Sequence, residues 1–171
     1  MTGLAVGAQT PSTPGPPSAP GNAAGGEIRP QRGTVLALDF GERRMGVAVG
    51  ELELGFAHPL ATISAGSDRE RLDALEVLVK EWAPVLFVVG LPVHMDGSQN
   101  PLAVRCQRFA AKLRGRFGRP TRLVDERLTS ATASLALAEA GVRGRRQKAV
   151  LDQMAAQQIL QAFFSSPDDP A

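Results

Sequence analysis

Three short apolar runs follow one another between Thr34 and Ser64, and turn-forming residues separate them. They read TVLALDF, MGVAVG and GFAHPLATIS, and their aliphatic, β-branched and aromatic side chains are typical of strands. The pattern therefore predicts an antiparallel meander of three strands. An aspartate, Asp39, stands near the end of the first run, and a buried carboxylate needs a cation, hydrogen-bond donors or water nearby.

A helix and a buried strand are predicted next. Ser67 and Glu70 make the S-x-x-E capping pattern, and leucines at helical spacing follow until Pro84. The run VLFVVG at 85–90 is continuously apolar, as in a strand that is covered on both faces. The loop after it contains His94, for which contact with a substrate is one interpretation and simple exposure the other.

The remainder alternates helix and strand. Asn100 and Pro101 favour the start of a helix, and Gly118 favours its end. Further elements are predicted for a strand over 121–127, a helix over 129–141 and a last helix over 149–164. The inner stripe of the last helix is predicted to be Leu151, Met154, Ala155, Ile159 and Phe163. Together the elements predict an α/β fold with a mixed five-stranded sheet flanked by helices.

The domain organisation follows from composition. The first 32 residues are rich in Pro, Gly, Ala, Ser and Thr, so we expect residues 1–32 to be a disordered tail. We expect one folded domain over 33–166 and a flexible C-terminus over 167–171. No apolar run is long enough to span a bilayer and no secretory signal is present, so a soluble, cytoplasmic protein is expected. The single cysteine, Cys106, excludes a cysteine zinc cage and is expected in the core.

Positive charge is concentrated in one part of the chain. Between Pro101 and Lys148 there are twelve Arg or Lys residues and only three Asp or Glu residues. A local excess of this kind attracts phosphate backbones, so nucleic acid is the predicted partner. Aromatic residues make up 5% and tyrosine is absent, which favours recognition of backbone shape and charge over base stacking. The candidate phosphate-binding residues are Arg127, Arg143, Arg145, Arg146 and Lys148.

Acidic residues stand at the ends of three predicted elements. Asp39 lies at the end of the first strand, the Asp125–Glu126 pair at the end of the last strand, and Asp152 near the start of the last helix. Such carboxylates tolerate one another only around a cation, and oxygen ligands alone suit Mg²⁺ or Mn²⁺. Beside a basic surface they would support phosphodiester hydrolysis, with one ion activating water and another stabilising the departing oxygen.

Four separated blocks resemble, in order and spacing, the signature blocks of the YqgF/RuvX family. The blocks are LALDFGERRMGVAVG, VVGLPVHMDGSQNP, LVDERLTSATA and KAVLDQMAAQQILQ. The resemblance covers about 34–164. It implies an RNase H-like fold and a catalytic, metal-binding triad of Asp39, Glu126 and Asp152, with Asp125 as the competitor to Glu126. It also implies that Gly41 and Gly46 let the hairpin approach a large substrate closely.

The resemblance implies a metal-dependent endonuclease with two candidate substrates. One is the leader of precursor 16S ribosomal RNA, and the other is the four-way Holliday junction of DNA. Symmetric cuts in a junction would require a homodimer, whereas trimming an RNA leader requires a single site. The departures from the family pattern are the long Pro-rich start and the sequence LDQMAA in the last helix.

Two hypotheses of other classes remain. The Asp-x-Gly hairpin also resembles the first phosphate loop of actin-like and sugar-kinase ATPases, which would make the chain a single-domain nucleotide-binding protein. The basic surface alone would suit a non-catalytic RNA-binding factor in ribosome assembly. Stabilisation by ATP would distinguish the first hypothesis, and nucleic-acid binding without cleavage would distinguish the second.

Overall fold

The computed structural model describes residues 30–92, 98, 100–126 and 144–167. Five strands and three helices lie in this part of the chain. In chain order they are β1 (Thr34–Phe40), β2 (Arg44–Glu51), β3 (Ala57–Ser64), α1 (Asp68–Trp82), β4 (Leu86–Leu91), α2 (Pro101–Phe117), β5 (Thr121–Asp125) and α3 (Arg145–Ser165). None of these helices combines the length and apolar character needed to cross a lipid bilayer.

The strands form one mixed sheet in the order β3-β2-β1-β4-β5. The first three strands pair antiparallel, as the meander predicted, while β4 and β5 run parallel to β1. This confirms the predicted mixed five-stranded sheet flanked by helices. Because β1 is central, its C-terminal end lies between the two halves of the sheet.

Alternate residues of each strand point to opposite faces of the sheet. Helices α1 and α2 cover the face that carries Leu36 and Leu38 of β1. Helix α3 covers the other face, where Val35 and Ala37 of β1 pack against Ile159. All six residues of β4 are buried, which confirms the prediction of a strand covered on both faces. The predicted core position of Cys106 is also confirmed.

The predicted helix caps of α1 and α2 are observed. The Ser67 side chain accepts a hydrogen bond from the Glu70 amide, and α1 ends in a left-handed residue before Pro84. The Asn100 side chain accepts one from the Leu102 amide, and α2 ends at the left-handed Gly118. Local hydrogen-bonding chemistry therefore fixes where both helices begin and end.

Helix α3 differs from its prediction in two ways. It begins at Arg145, so the basic residues expected in a link form its first turn. The predicted stripe is wrong at Leu151, Met154 and Ala155, which are only half-buried. The residues buried against the sheet are Ala156, Ile159, Leu160 and Phe163. Ala156 belongs to the same buried cluster as Ala48 of β2, and such small side chains let the helix lie close to the strand.

Gly46 of β2 makes this close approach possible. A Cβ at this position would overlap the backbone carbonyl of Asp152 in α3. Backbone therefore packs directly on backbone where the helix crosses the strand. The expected approach of a substrate is wrong at Gly46, where α3 fills the space. At Gly41 the Arg44 carbonyl, which accepts a hydrogen bond from the Gly41 amide, occupies the position of a Cβ, and the approach of a substrate to this turn stays a prediction.

Several predictions fall outside the described residues. They are the disordered tail, except at its last few positions, the role of His94, the helix over 129–141, and the C-terminal residues after 167. The domain boundaries at 33 and 166 likewise stay predictions.

We predict that Gly46→Ala destabilises the fold, because the added methyl group meets backbone that cannot rotate away. The expected loss in free energy of unfolding is about 2 kcal/mol or more, at the upper end of overpacking effects. Denaturant unfolding followed by circular dichroism measures it.

The matched control is Gly115→Ala. Gly115 lies within α2, where an added Cβ meets nothing within 4 Å. Alanine should stabilise the helix there by roughly 0.5–1 kcal/mol. A Gly46→Ala variant as stable as the control would contradict the tight packing of α3 on β2.

Candidate active site

Asp39 and Asp152 come together through the register of the central hairpin. Asp39 of β1 pairs directly with Gly46 of β2, so both lie on the face that α3 covers. The backbone of Asp152 lies over Gly46. The missing side chain at Gly46 therefore lets the helix bring Asp152 to the end of the strand that carries Asp39.

Hydrogen bonds to β3 and the turn before it hold α3 in this position. Gln153 donates to the Thr62 hydroxyl, which in turn donates to the carbonyl of Ala149 at 2.7 Å. One and two turns later, Gln157 donates to the carbonyl of Ala57 at 2.8 Å, and Gln161 donates to that of Gly55 at 3.2 Å. These glutamines recur every four residues and so share one side of the helix. These hydrogen bonds fix both the rotation of α3 about its own axis and its position along β3.

Glu126 reaches the same face from the other half of the sheet. It directly follows β5, and its carboxylate lies over Gly90 of β4, where a Cβ would overlap it. Asp125 instead pairs with Leu91, which packs in the core beneath α1 and α2. Strand alternation thus places Glu126, and not Asp125, on the face that carries Asp39.

Burial and mutual repulsion raise the pKa of two of these acids. Burial, with the added charge of Asp152, raises the pKa of Asp39 to about 6. Burial raises the pKa of Glu126 to about 7, and the charges of Asp39 and Asp125 add to the effect. Both shifts mean that burial and neighbouring acids disfavour the ionised carboxylates. A cation at this end of the sheet would favour them.

Asp152 has a cationic partner within the chain. Its Oδ2 accepts a hydrogen bond of 2.6 Å from Nε of Arg44, the first residue of β2. Within the described part of the chain, no three Asp, Glu, His or Cys side chains form a group that could hold a metal ion as they stand. The predicted metal ligands Asp39, Glu126 and Asp152 therefore lie at one end of the sheet face that α3 covers. Their carboxylates are not close enough together to hold a metal ion as they stand.

A buried arginine supports the hairpin from the opposite face. Arg71 of α1 is 1% exposed, and its guanidinium lies 4.5 Å from the centroid of the Phe40 ring. It donates to the carbonyls of Gly41 and Glu42 in the turn between β1 and β2. The contacts fix the turn that connects Asp39 to Arg44.

Sequence reasoning missed both of these arginines. Alternate residues of a strand share a face, so Arg44 lies on the same face as Gly46 and its partner Asp39. The predicted hairpin was therefore enough to place Arg44 near Asp39. Arg71 lies between apolar positions on the inner side of α1, where a buried charge signals a specific partner.

The predicted phosphate-binding residues are only partly described. Arg146 and Lys148 are exposed near the start of α3. Arg127, Arg143 and the side chain of Arg145 lie outside the description. The local charge excess is smaller than the sequence implied, because acids of α1 pair with two of the counted residues: Lys112 with Asp68 at 2.6 Å, and Arg116 with Glu76 at 2.7 Å.

Curated relatives are similar to this chain over most of its length. A relative from Nitrosospira multiformis is 60% identical over 136 residues, which is 80% of this chain and 90% of the relative. One from Methylobacillus flagellatus is 53% identical and covers 78% of this chain and 91% of the relative. Both are named "Putative pre-16S rRNA nuclease". The structure of Thermus thermophilus RuvC aligns with 78% of this chain and 95% of its own at a TM-score of 0.45 and 14% identity.

A protein-family model also matches most of the chain. It is described as RuvX, Holliday junction resolvase, and it matches residues 33–166. This range contains all three acids and every described strand and helix. The match to this family favours a nuclease over a nucleotide-binding protein of the sugar-kinase type. The chain therefore belongs to the RuvX family.

Proposed function

We propose that this chain is a metal-dependent endonuclease that hydrolyses phosphodiester bonds in structured nucleic acid with Asp39, Glu126 and Asp152. One observation carries the proposal: two glycines bring acids of three separate segments to one end of one face, since α3 packs on Gly46 beside Asp39 and the Glu126 carboxylate lies over Gly90. Such a cluster of partly buried carboxylates is unfavourable for folding alone, so a function is the better explanation.

The donor set fits Mg²⁺ or Mn²⁺. All three groups are carboxylates, which hard divalent cations prefer, and burial raises the pKa of Asp39 and Glu126 and so disfavours their ionised forms. Bound ions would activate water and stabilise the departing oxygen. The proposal requires the carboxylates to draw closer around the ion, since they form no closed group as described.

The substrate is held by charge in this proposal. Arg146 and Lys148 are exposed in the first turn of α3, one to two turns before Asp152. Cations in this position would contact the backbone phosphates that flank the bond to be cut. Arg127, Arg143 and Arg145 remain predicted contributors to the same contact.

A precursor of 16S ribosomal RNA is the first candidate substrate. Relatives that are more than half identical over most of this chain carry that substrate in their names. The description of the family model supports the second candidate, a Holliday junction. Cleavage of a junction would further require a homodimer with two sites related by a two-fold axis.

Parallel assays with one preparation distinguish the substrates. The expected result is cleavage of an RNA that spans the 5′ end of 16S ribosomal RNA and slower cleavage of a four-way DNA junction of equal concentration. Preferred cleavage of the junction, together with a dimer in sedimentation analysis, would establish the second candidate.

We predict that Asp39→Asn, Glu126→Gln and Asp152→Asn each reduce cleavage by about 1,000-fold or more while nucleic-acid affinity stays equal or rises. Each change removes a proposed metal ligand and one charge that repels phosphate. A double variant should be little worse than a single one, because the ligands act as one unit. Single-turnover cleavage and fluorescence anisotropy measure the two effects.

Asp125→Asn is the matched control. Asp125 precedes Glu126 directly but belongs to the opposite face of the sheet, so most activity should remain. An inactive Asp125 variant beside an active Glu126 variant would shift the assignment by one residue. Cleavage by all four variants would refute the metal-dependent mechanism, and binding without cleavage by the unmodified protein would favour the non-catalytic factor.

A separate prediction concerns stability without metal. In excess chelator, Asp39→Asn should raise the melting temperature by a few degrees, because it removes a poorly solvated charge that Asp152 repels. Mn²⁺ should raise the melting temperature of the unmodified protein and have little effect on Asp39→Asn. Equal stabilisation of both proteins by Mn²⁺ would place the bound ion elsewhere.

A further inference from the structure

Arg44 stands beside the proposed active site in a position that the proposed function does not yet use. It begins β2, two residues before Gly46, and therefore lies on the face that carries Asp39. Its Nε donates to Oδ2 of Asp152 at 2.6 Å. The side chain is thus fixed at the place where a phosphate would have to approach the three acids.

The N–H groups of Arg44 that do not bond to Asp152 indicate what this side chain could bind. A guanidinium has five N–H groups, and the bond to Asp152 uses only the one on Nε. Within the described part of the chain, the hydrogen bonds and ion pairs include no partner for its terminal nitrogens, Nη1 and Nη2. The side chain is 37% exposed, so these nitrogens have access to solvent.

The second arginine of the hairpin region shows what a purely structural role requires. Arg71 is 1% exposed, and its two terminal nitrogens donate to backbone carbonyls and to Asp68. Its whole guanidinium is enclosed by the protein. Arg44 differs in exposure and in the use of its donors, although both residues stabilise parts of the same site.

We propose that Arg44 binds a phosphate of the nucleic acid at the cleavage site through Nη1 and Nη2 while its Nε remains bonded to Asp152. This inference rests on the proposed function and extends it. A guanidinium is planar, keeps its charge at all relevant pH values and matches two phosphate oxygens with two parallel donors.

A contact between Arg44 and the phosphate would offset the repulsion between the phosphate and the three acids. A phosphate that approaches Asp39, Glu126 and Asp152 meets three acids, and the fixed cation nearest to Asp152 is Arg44. Because the bond to Asp152 holds the guanidinium in place before substrate arrives, little side-chain entropy is lost on binding. Arg44 would therefore orient one proposed metal ligand and the reacting phosphate at the same time.

The test compares Arg44→Gln with Arg43→Gln. Both changes remove one positive charge from the same hairpin, and Arg43 is exposed. Affinity for the RNA that spans the 5′ end of 16S ribosomal RNA and for the four-way DNA junction is measured by fluorescence anisotropy in excess chelator, across a series of salt concentrations. We expect Arg44→Gln to weaken binding roughly five- to tenfold and to reduce the salt slope by about one, and Arg43→Gln to weaken it less than about twofold.

A second comparison separates phosphate binding from the support of Asp152. In the Asp152→Asn background, Arg44→Gln should weaken binding by a similar factor, because the amide oxygen of asparagine can still accept the bond from Nε while Nη1 and Nη2 make the phosphate contact. If Arg44 only positions Asp152, the affinity in chelator will be unchanged in both backgrounds, and the inference is overturned. Thermal unfolding of each variant reports on folding.

Arg44→Lys provides the same test if Arg44→Gln does not fold. It keeps the charge but lacks the fork of donors, so the expected result is an unchanged salt slope with affinity reduced about two- to threefold. Affinity equal to that of the unmodified protein would overturn the inference.

The unmodified protein distinguishes this inference from the proposed function. Binding and metal-dependent cleavage by the unmodified protein, with no effect of Arg44→Gln on binding, would refute the role of Arg44 alone. Binding without cleavage would refute the proposed function, and the Arg44 comparison would still be decided by affinity. Absence of binding would refute both.

Discussion

The contact of α3 with Gly46 is the constraint on which the candidate site depends. A helix normally lies above a sheet at a distance set by intervening side chains, but here the backbone of Asp152 rests on a strand position that has no side chain. Asp39 is the register partner of that glycine. One missing Cβ thus brings the acid of the helix to the acid of the central strand, and the glutamines along α3 hold the helix at that height.

The electrostatic cost of this arrangement indicates what is meant to bind there. Asp39 and Glu126 are buried enough that their ionised forms are disfavoured, and each is further disfavoured by a neighbouring acid. Arg44 compensates Asp152 through a single bond at the edge of the cluster. A fold under no functional demand would replace such carboxylates with apolar side chains of similar size. Their presence together favours a site that is completed by divalent cations and an anionic substrate.

Much of the fold could be predicted from the sequence because its signals are local. The strand runs around Asp39, the caps at Ser67 and Asn100, and the apolar run of β4 depend on neighbouring residues alone, and all were confirmed. The inner stripe of α3 could not be predicted as well, because Gly46 determines the rotation of this helix from a position about a hundred residues earlier. Periodicity favours the largest apolar side chains, whereas close packing selected Ala156.

In the candidate site, too, local features could be predicted from the sequence and long-range contacts could not. Asp39, Glu126 and Asp152 stand at element ends that a central β1 brings together, although their catalytic roles rested on the resemblance to a family and remain proposals. The pairing of Arg44 with Asp152 spans 108 positions and has no local signal. The available charge was overestimated because contacts between α1 and α2 pair Lys112 and Arg116, which composition does not reveal.

The most direct measurement is the anomalous scattering of Mn²⁺ in crystals of the unmodified protein. The account predicts an anomalous peak between the carboxylates of Asp39, Glu126 and Asp152, with oxygen ligands from all three and Arg44 close to Asp152. A peak held by Asp125, or Mn²⁺ bound only at surface acids such as those of α1 while these three carboxylates stay apart, would contradict the account.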